Sequence, residues 1–138
     1  MRVLTILLAL AALIAPAPAA AKTRVLRYKA VGGAGHLITR LRYYYDQTLY
    51  THGRRVGRIH AVCMAERGFG ACNLTVYLPG GTLRAHWHVS GYYVRGRVSG
   101  GTGRFRGARG HIVQDERGEP TYPDGSGIAR ITITLQRT

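Results

Sequence analysis

The sequence predicts an all-β protein made of eight short antiparallel strands. Short runs rich in Tyr, Val, Ile and Thr alternate apolar with polar residues, which is typical of half-buried strands. Glycine-rich turns separate these runs, and no stretch repeats apolar residues at helical spacing over three turns. A meander of eight strands avoids exposed edges by closing into a barrel or by folding into a sandwich.

The first four predicted strands lie before the turn signal at Pro79. Gly32–Gly35 separates the first from the second, and Glu66–Gly70 separates the third from the fourth. In the second strand, Leu41, Tyr43 and Tyr45 fall on one face. The four predicted strands are Arg24–Ala30, His36–Leu49, Val56–Met64 and Ala71–Leu78.

Turn signals also bound the last four predicted strands. Pro79-Gly80-Gly81 and the run Ser99–Gly103 are tight reversals, and Asp115–Gly127 is a polar loop that contains proline. The last strand alternates Ala129, Ile131, Ile133 and Leu135 with polar residues. The four predicted strands are Thr82–Val89, Tyr92–Val98, Arg104–Gln114 and Ile128–Gln136.

Residues 1–21 have the layout of a secretory signal peptide. Arg2 precedes an apolar run, Val3–Ile14, and small residues at Ala19 and Ala21 fit a cleavage site after Ala21. The apolar run is shorter than the roughly 20 residues that span a bilayer. We therefore expect a secreted protein without a membrane anchor, in which residues 22–138 form one domain.

Two cysteines follow the predicted signal peptide. Cys63 ends the third predicted strand and Cys72 begins the fourth, so a hairpin would bring them side by side. An even cysteine count in an exported chain favours a disulfide. The alternative is a metal pair or a reactive thiol, but the spacing does not fit a zinc knuckle.

The chain is strongly basic, with a formal net charge of +14. Such a charge makes polyanions possible partners. The arginines are spread along the chain, however, and no basic cluster is tighter than Arg54-Arg55. This favours arginines that solvate an outer surface, with non-specific polyanion association as the alternative.

The run from Gly100 to Gly110, G-G-T-G-R-F-R-G-A-R-G, resembles the signature of the allene oxide cyclase and dirigent superfamily. Gly53–Arg58 and Leu78–Leu83 resemble further family segments in the expected order. The signal peptide and the cysteine pair look like the secreted bacterial members. The resemblance implies an eight-stranded antiparallel β-barrel, and it assigns a fold-specifying role to Gly100, Gly101, Thr102, Gly103, Gly107 and Gly110.

The resemblance also implies a function. Family members bind an apolar or phenolic small molecule and steer its cyclisation, an isomerase activity, or its radical coupling, without a cofactor or a metal. Their barrels are often dimers or trimers. This chain has no obvious counterpart to the inward glutamate of the cyclases or to the paired aspartates of dirigent proteins. The alternative is a non-catalytic secreted binding protein whose basic exterior associates with polyanions.

Several side chains could line such a barrel. Tyr43, Tyr45, Trp87 and Tyr92 fall on faces that the alternation assigns inward, where they could stack on a ligand or simply fill the core. Arg109 shares a face with Phe105 and His111. If that face is inward, Arg109 is a candidate catalytic residue that holds a phenolate or an oxyanion, and its neighbours are ligand-binding candidates.

Overall fold

The structure, a computed structural model, describes residues 22–66 and 69–136. The predicted signal peptide lies outside the described residues. None of the described segments is a helix long and apolar enough to cross a membrane. The described chain forms a 3-10 turn, Gly103–Phe105, and nine strands: β1 Thr23–Gly32, β2 His36–Leu37, β3 Arg42–Thr51, β4 Arg54–Glu66, β5 Phe69–Leu78, β6 Gly81–Val89, β7 Tyr93–Gly101, β8 Arg109–Asp115 and β9 Gly127–Gln136.

Eight of these strands close into an antiparallel barrel. Strands β3 to β9 pair in sequence order, and β1 pairs with β9 along its whole length. The barrel closes because the end of β1 also pairs with β3, from Lys29 opposite Tyr50 to Gly32 opposite Gln47. The two-residue strand β2 lies beside β3. The predicted barrel of eight antiparallel strands is confirmed.

Two predicted strands differ from the structure. The second is interrupted, because a turn at 38–41 is fixed by Ile38 and Thr39 N–H groups that donate to the Arg42 carbonyl. Leu41 is therefore 56% exposed instead of sharing the inner face with Tyr43. The seventh begins at Arg109 rather than Arg104, because Gly103, with a φ of 56°, starts the 3-10 turn.

Alternate residues of every barrel strand point into one apolar core. This core includes Leu49, Ile59, Val76, Ile112 and Ile133, all fully buried. Among the described residues, the buried polar side chains are Gln47 and Gln114. The end of the barrel that carries the 3-10 turn, here called the closed end, is filled by Phe105, which is 4% exposed.

The predicted disulfide is present. Cys63 and Cys72 lie directly opposite each other on β4 and β5, with their Cα atoms 4.0 Å apart, and both are fully buried. The bond joins neighbouring strands near the end of the barrel opposite Phe105. On the chain-entropy model, a loop this short contributes about 2–3 kcal/mol to the free energy of unfolding.

Gly110 shows why the glycine-rich motif specifies the fold. Its φ is 154°, and a Cβ atom at this position would clash with the backbone carbonyl oxygen of Thr134 on β9. Gly107 also has a positive φ, 73°, but a Cβ atom there would meet nothing within 4 Å. The two glycines therefore serve different needs: Gly110 allows β8 and β9 to approach, whereas Gly107 only allows the chain to turn.

We predict that Gly110→Ala lowers the free energy of unfolding by at least about 3 kcal/mol, because backbone atoms of β9 must move. Gly107→Ala is the matched control, and it should lose only about 1 kcal/mol for the left-handed conformation. Urea unfolding followed by circular dichroism measures both. Equal losses for the two variants would show that close approach at Gly110 does not matter.

Candidate ligand site at the barrel mouth

The end of the barrel opposite Phe105 is open and is surrounded by the segments 33–41, 90–92 and 116–126; we call it the mouth. A cavity of about 220 Å³ opens there, lined by inward side chains of β3, by Gln114 and Glu116, and by the loop residue Thr121. A cavity of roughly 150 Å³ is enough for benzene. The mouth therefore has room for one substituted aromatic ring.

Tyrosine and tryptophan side chains form the aromatic part of the site. Tyr45 is 7% exposed and lines the cavity, and Trp87, on β6, lies deeper in the core at 1% exposure. Tyr43 is half-buried and stands between two glycines. Its ring lies close to Gly35, and its hydroxyl occupies the space that a Cβ atom at Gly70 would need. Small residues thus fix the position of Tyr43 across the mouth.

Polar atoms of the site are buried without enough partners. The Gln114 side-chain amide donates a 2.6 Å hydrogen bond to the Glu116 carboxyl. Two other buried atoms have no hydrogen-bond partner among the described residues, Oε1 of Gln47 and Oε1 of Gln114, whereas the buried indole N–H of Trp87 lies beside the Tyr45 hydroxyl. An unsatisfied buried polar group costs about 1–3 kcal/mol. Because Gln47 and Gln114 both line the mouth cavity, this cavity is a place that binds water or a ligand.

Glu116 brings an ionisable group to this cluster. Its backbone N–H donates a 2.7 Å hydrogen bond to the Tyr92 carbonyl, which fixes the start of the loop after β8. Burial raises the pKa of the Glu116 carboxyl above its usual range, because the charged form loses water. The site therefore holds a carboxyl group whose proton is retained to higher pH than that of an exposed glutamate.

Burial also raises the pKa of the two tyrosines of the site, Tyr43 and Tyr45. For Tyr45, the negative charge of Glu116 raises the pKa further. Both phenols are consequently neutral near pH 7, and their hydroxyl groups can donate hydrogen bonds to a ligand oxygen. A neutral donor beside a carboxyl group is an arrangement that suits proton transfer.

The structure brings three of the predicted ligand-binding residues together, since Tyr43, Tyr45 and Trp87 all point toward the mouth half of the barrel. Phe105 is buried but lies at the closed end. The expectation that Tyr92 faces inward is wrong, because Tyr92 lies in the turn before β7 and is 66% exposed. The first inward residue of β7 is instead Val94.

Arg109 and His111 lie on the outside of the barrel, so the inward orientation on which their roles as catalytic and ligand-binding candidates depend is not the one that the structure has. On β8 the residues that point inward are Gly110, Ile112 and Gln114. The guanidinium group of Arg109 donates hydrogen bonds to the backbone carbonyls of Ser99 and Ala108, which keeps it on the outer surface. Arg109 is therefore remote from the mouth cavity.

Sequence reasoning missed Gln47, Gln114 and Glu116. The sequence predicts a loop from Asp115 onward, yet Glu116 continues the alternation of Ile112 and Gln114 by one further inward position. That alternation is the signal that could have found it. No group of three or more His, Cys, Asp or Glu side chains suited to a metal ion occurs among the residues that the structure describes.

The raised pKa of Glu116 predicts how stability depends on pH. The folded state holds the proton more tightly than the unfolded state, so stability falls as pH rises from the ordinary glutamate range through the raised value. Glu116→Gln should therefore raise the unfolding temperature at pH 7, and the gain should vanish at about pH 3. Glu119→Gln is the control, since Glu119 forms a 2.7 Å ion pair with Arg130. A gain that does not vary with pH would contradict the raised pKa.

Comparison with known proteins identifies the type of barrel. No family model and no curated protein sequence matches the chain. The solved structures that are similar to this chain include three at probability 1.00. A pyocyanin demethylase aligns with a TM-score of 0.64 and 16% identity, covering 81% of this chain and 99% of its own. The pterocarpan synthase dirigent protein GePTS1 aligns with a TM-score of 0.66 and 15% identity, covering 88% of each chain. The pterocarpan synthase dirigent protein PsPTS1 aligns with a TM-score of 0.62 and 14% identity, covering 84% of this chain and 96% of its own. The chain thus has the barrel fold of dirigent proteins and pyocyanin demethylase, as the glycine-rich motif predicts.

Proposed function

We propose that this protein is a secreted barrel that binds a small apolar or phenolic molecule at its mouth and steers a cyclisation by proton transfer with Glu116. The observation that supports this proposal best is the polar cluster of Gln47, Gln114 and Glu116 beside an aromatic wall. Similar barrels include proteins named for pyocyanin and pterocarpan, which are small organic molecules. The disulfide fits a protein that is exported.

In this proposal the aromatic wall binds the ring and the polar atoms orient its substituent. Tyr43 and Tyr45 contact the ring, and the Tyr45 hydroxyl donates to a ligand oxygen. The Glu116 carboxylate accepts a proton from one ligand atom and, as the carboxyl group, returns it to another. The proton count balances within ligand and protein, so the net reaction is an isomerisation.

The size of the cavity favours cyclisation over coupling. Coupling requires two phenoxy radicals held together, whereas about 220 Å³ accommodates a single substituted ring. The cavity therefore favours a reaction of one bound molecule.

The binding step can be measured with the protein's own fluorescence. Trp87 is the only tryptophan of the chain, and it lies next to Tyr45 in the core. We expect p-cresol to change its emission in a saturable way, and the two-ring compound 4-benzylphenol to bind at least about tenfold more weakly. Tyr45→Phe should weaken p-cresol binding about two- to tenfold, by the loss of one hydrogen bond.

Tyr44→Phe is the matched control for this measurement. Tyr44 lies on the outer side of β3, stacked on His36 with ring centroids 5.0 Å apart, so its hydroxyl is remote from the cavity. The Tyr44→Phe variant should bind p-cresol with the affinity of the wild type. Equal binding of the one-ring and two-ring phenols, or equal effects of the two substitutions, would place the ligand somewhere other than the mouth.

The proton-transfer step can be tested with a one-ring ketone. We expect the protein to accelerate exchange of the methyl hydrogens of acetophenone in heavy water, with Glu116 as the base and Tyr45 as the donor to the carbonyl oxygen. Glu116→Gln should lower the exchange rate at least about 100-fold, the usual contribution of an acid–base group. Glu119→Gln should leave it unchanged. Normal p-cresol binding without exchange in the wild type would leave a binding protein and remove the enzymatic part of the proposal.

A further inference from the structure

The barrel brings together arginines that are far apart in the sequence. Four of them, Arg84, Arg95, Arg97 and Arg109, are exposed on the outer side of three adjacent strands, β6, β7 and β8. His86, His88 and His111 lie on the same side and add positive charge when protonated. We call this surface the basic face. Chain position alone suggests scattered charge, so the face becomes visible only when the strands are paired.

Two guanidinium groups converge on this face. A Cβ atom at Gly100 would lie 3.0 Å from Nη2 of Arg84 and 3.6 Å from Nη1 of Arg109. A register shift between β6 and β7 at Arg84 allows Gly100 to lie beneath both side chains. Beside them, a depression of about 160 Å³ is lined by Arg97, Arg109 and His111. The glycines of the motif thus form the floor of a small basic hollow.

Carboxylates do not neutralise this face. On the outer side of these three strands Asp115 is the one acidic side chain among the described residues, and it already pairs with Arg117 and Arg130 at 2.9 and 3.3 Å. The described ion pairs include none of the four arginines of the basic face. Like charges held this close repel one another, and an anion placed between them would relieve the repulsion.

The histidines of the basic face could instead bind a metal ion, but the positive charge of the surrounding arginines opposes this. The Nε2 atoms of His86 and His88 are 3.4 Å apart, a spacing at which two imidazoles can share a metal ion. His86 is paired across the sheet with Arg97, and Arg84 is two residues away on the same strand. A dication would therefore lie among guanidinium groups, so the surroundings favour an anion.

We propose that the basic face binds the phosphate backbone of double-stranded nucleic acid without regard to sequence. Neighbouring strands are about 4.8 Å apart and alternate residues of one strand about 6.8 Å apart, so the four arginines spread too widely for one small anion. Guanidinium groups bind phosphate through paired hydrogen bonds. Among the described residues on the outer side of these strands, Tyr93 is the one Phe, Tyr or Trp, and the Arg117 guanidinium carbon covers its ring at 4.6 Å from the centroid, so it is not free to stack on a base. Contact with a duplex backbone is what remains.

The test compares two triple variants that carry the same net charge. In the first, Arg84, Arg95 and Arg97 become glutamine; Arg109 stays, because its backbone hydrogen bonds support the motif. In the second, Arg42, Arg54 and Arg55 become glutamine; these are exposed residues of β3 and β4, strands that do not pair with β6, β7 or β8. Binding of a mixed-sequence DNA duplex is followed by fluorescence anisotropy between about 50 and 200 mM salt.

We expect the first variant to bind at least about tenfold more weakly at low salt. The slope of log K against log salt concentration should fall in magnitude by about 2 to 3, because each lost phosphate contact removes roughly 0.9 from it. The second should stay within about threefold of the wild type and keep its slope. Equal weakening of both variants would show that net charge alone governs binding and would overturn the proposal. So would stronger competition by phosphatidylglycerol vesicles than by unlabelled duplex. Unfolding temperatures confirm that both variants are folded.

Discussion

Closure of the barrel by β1 is the constraint on which the rest of the structure depends. β1 pairs with β9 along its length and with β3 over its last four residues, so no edge of the eight-stranded sheet is left open. In a closed barrel every second residue must point inward. This forces Gln47 and Gln114 into the interior together with the apolar residues, although each would be better solvated outside, and it leaves Glu116 half-buried at the mouth.

The two ends of the barrel differ because their inward positions carry different kinds of side chain. At the closed end the 3-10 turn inserts Phe105 between apolar residues of the neighbouring strands, and the core is continuous. At the mouth the inward positions carry tyrosine, glutamine and glutamate, which cannot pack as densely or satisfy one another fully. A rigid, filled half thus supports an open, polar half, which is the arrangement that a preorganised binding site needs.

Much of the fold could be predicted from the sequence, because it depends on local patterns. Alternation and glycine turns gave the number and order of the barrel strands, and the hairpin geometry gave Cys63–Cys72. The inner face of β8 could not be assigned with the same ease. From the motif alone, either Arg109 or Gly110 could point into the barrel. The pairing of Gly110 with Leu135 puts Gly110 inside and Arg109 outside. Glu116 was missed for a related reason, since the inward alternation continues past the end of the strand.

The outer surface shows the same dependence on pairing. Arg84, Arg97 and Arg109 are separated by up to 25 positions in the chain, yet they share one side of three neighbouring strands. In the sequence alone, these arginines look like dispersed charges. The barrel therefore sorts one sequence into a mouth with a carboxyl group and a convex face with guanidinium groups, and it keeps the two apart.

The central claim is that the mouth holds a carboxyl group poised for proton exchange with a bound ligand. Carbon-13 NMR of glutamate-labelled protein, with the Glu116 signal assigned by its loss in Glu116→Gln, measures this directly. We expect the Glu116 carboxyl to titrate above the ordinary glutamate pKa and saturating p-cresol to shift its titration. A Glu116 carboxyl that titrates in the ordinary range and does not respond to p-cresol would contradict it.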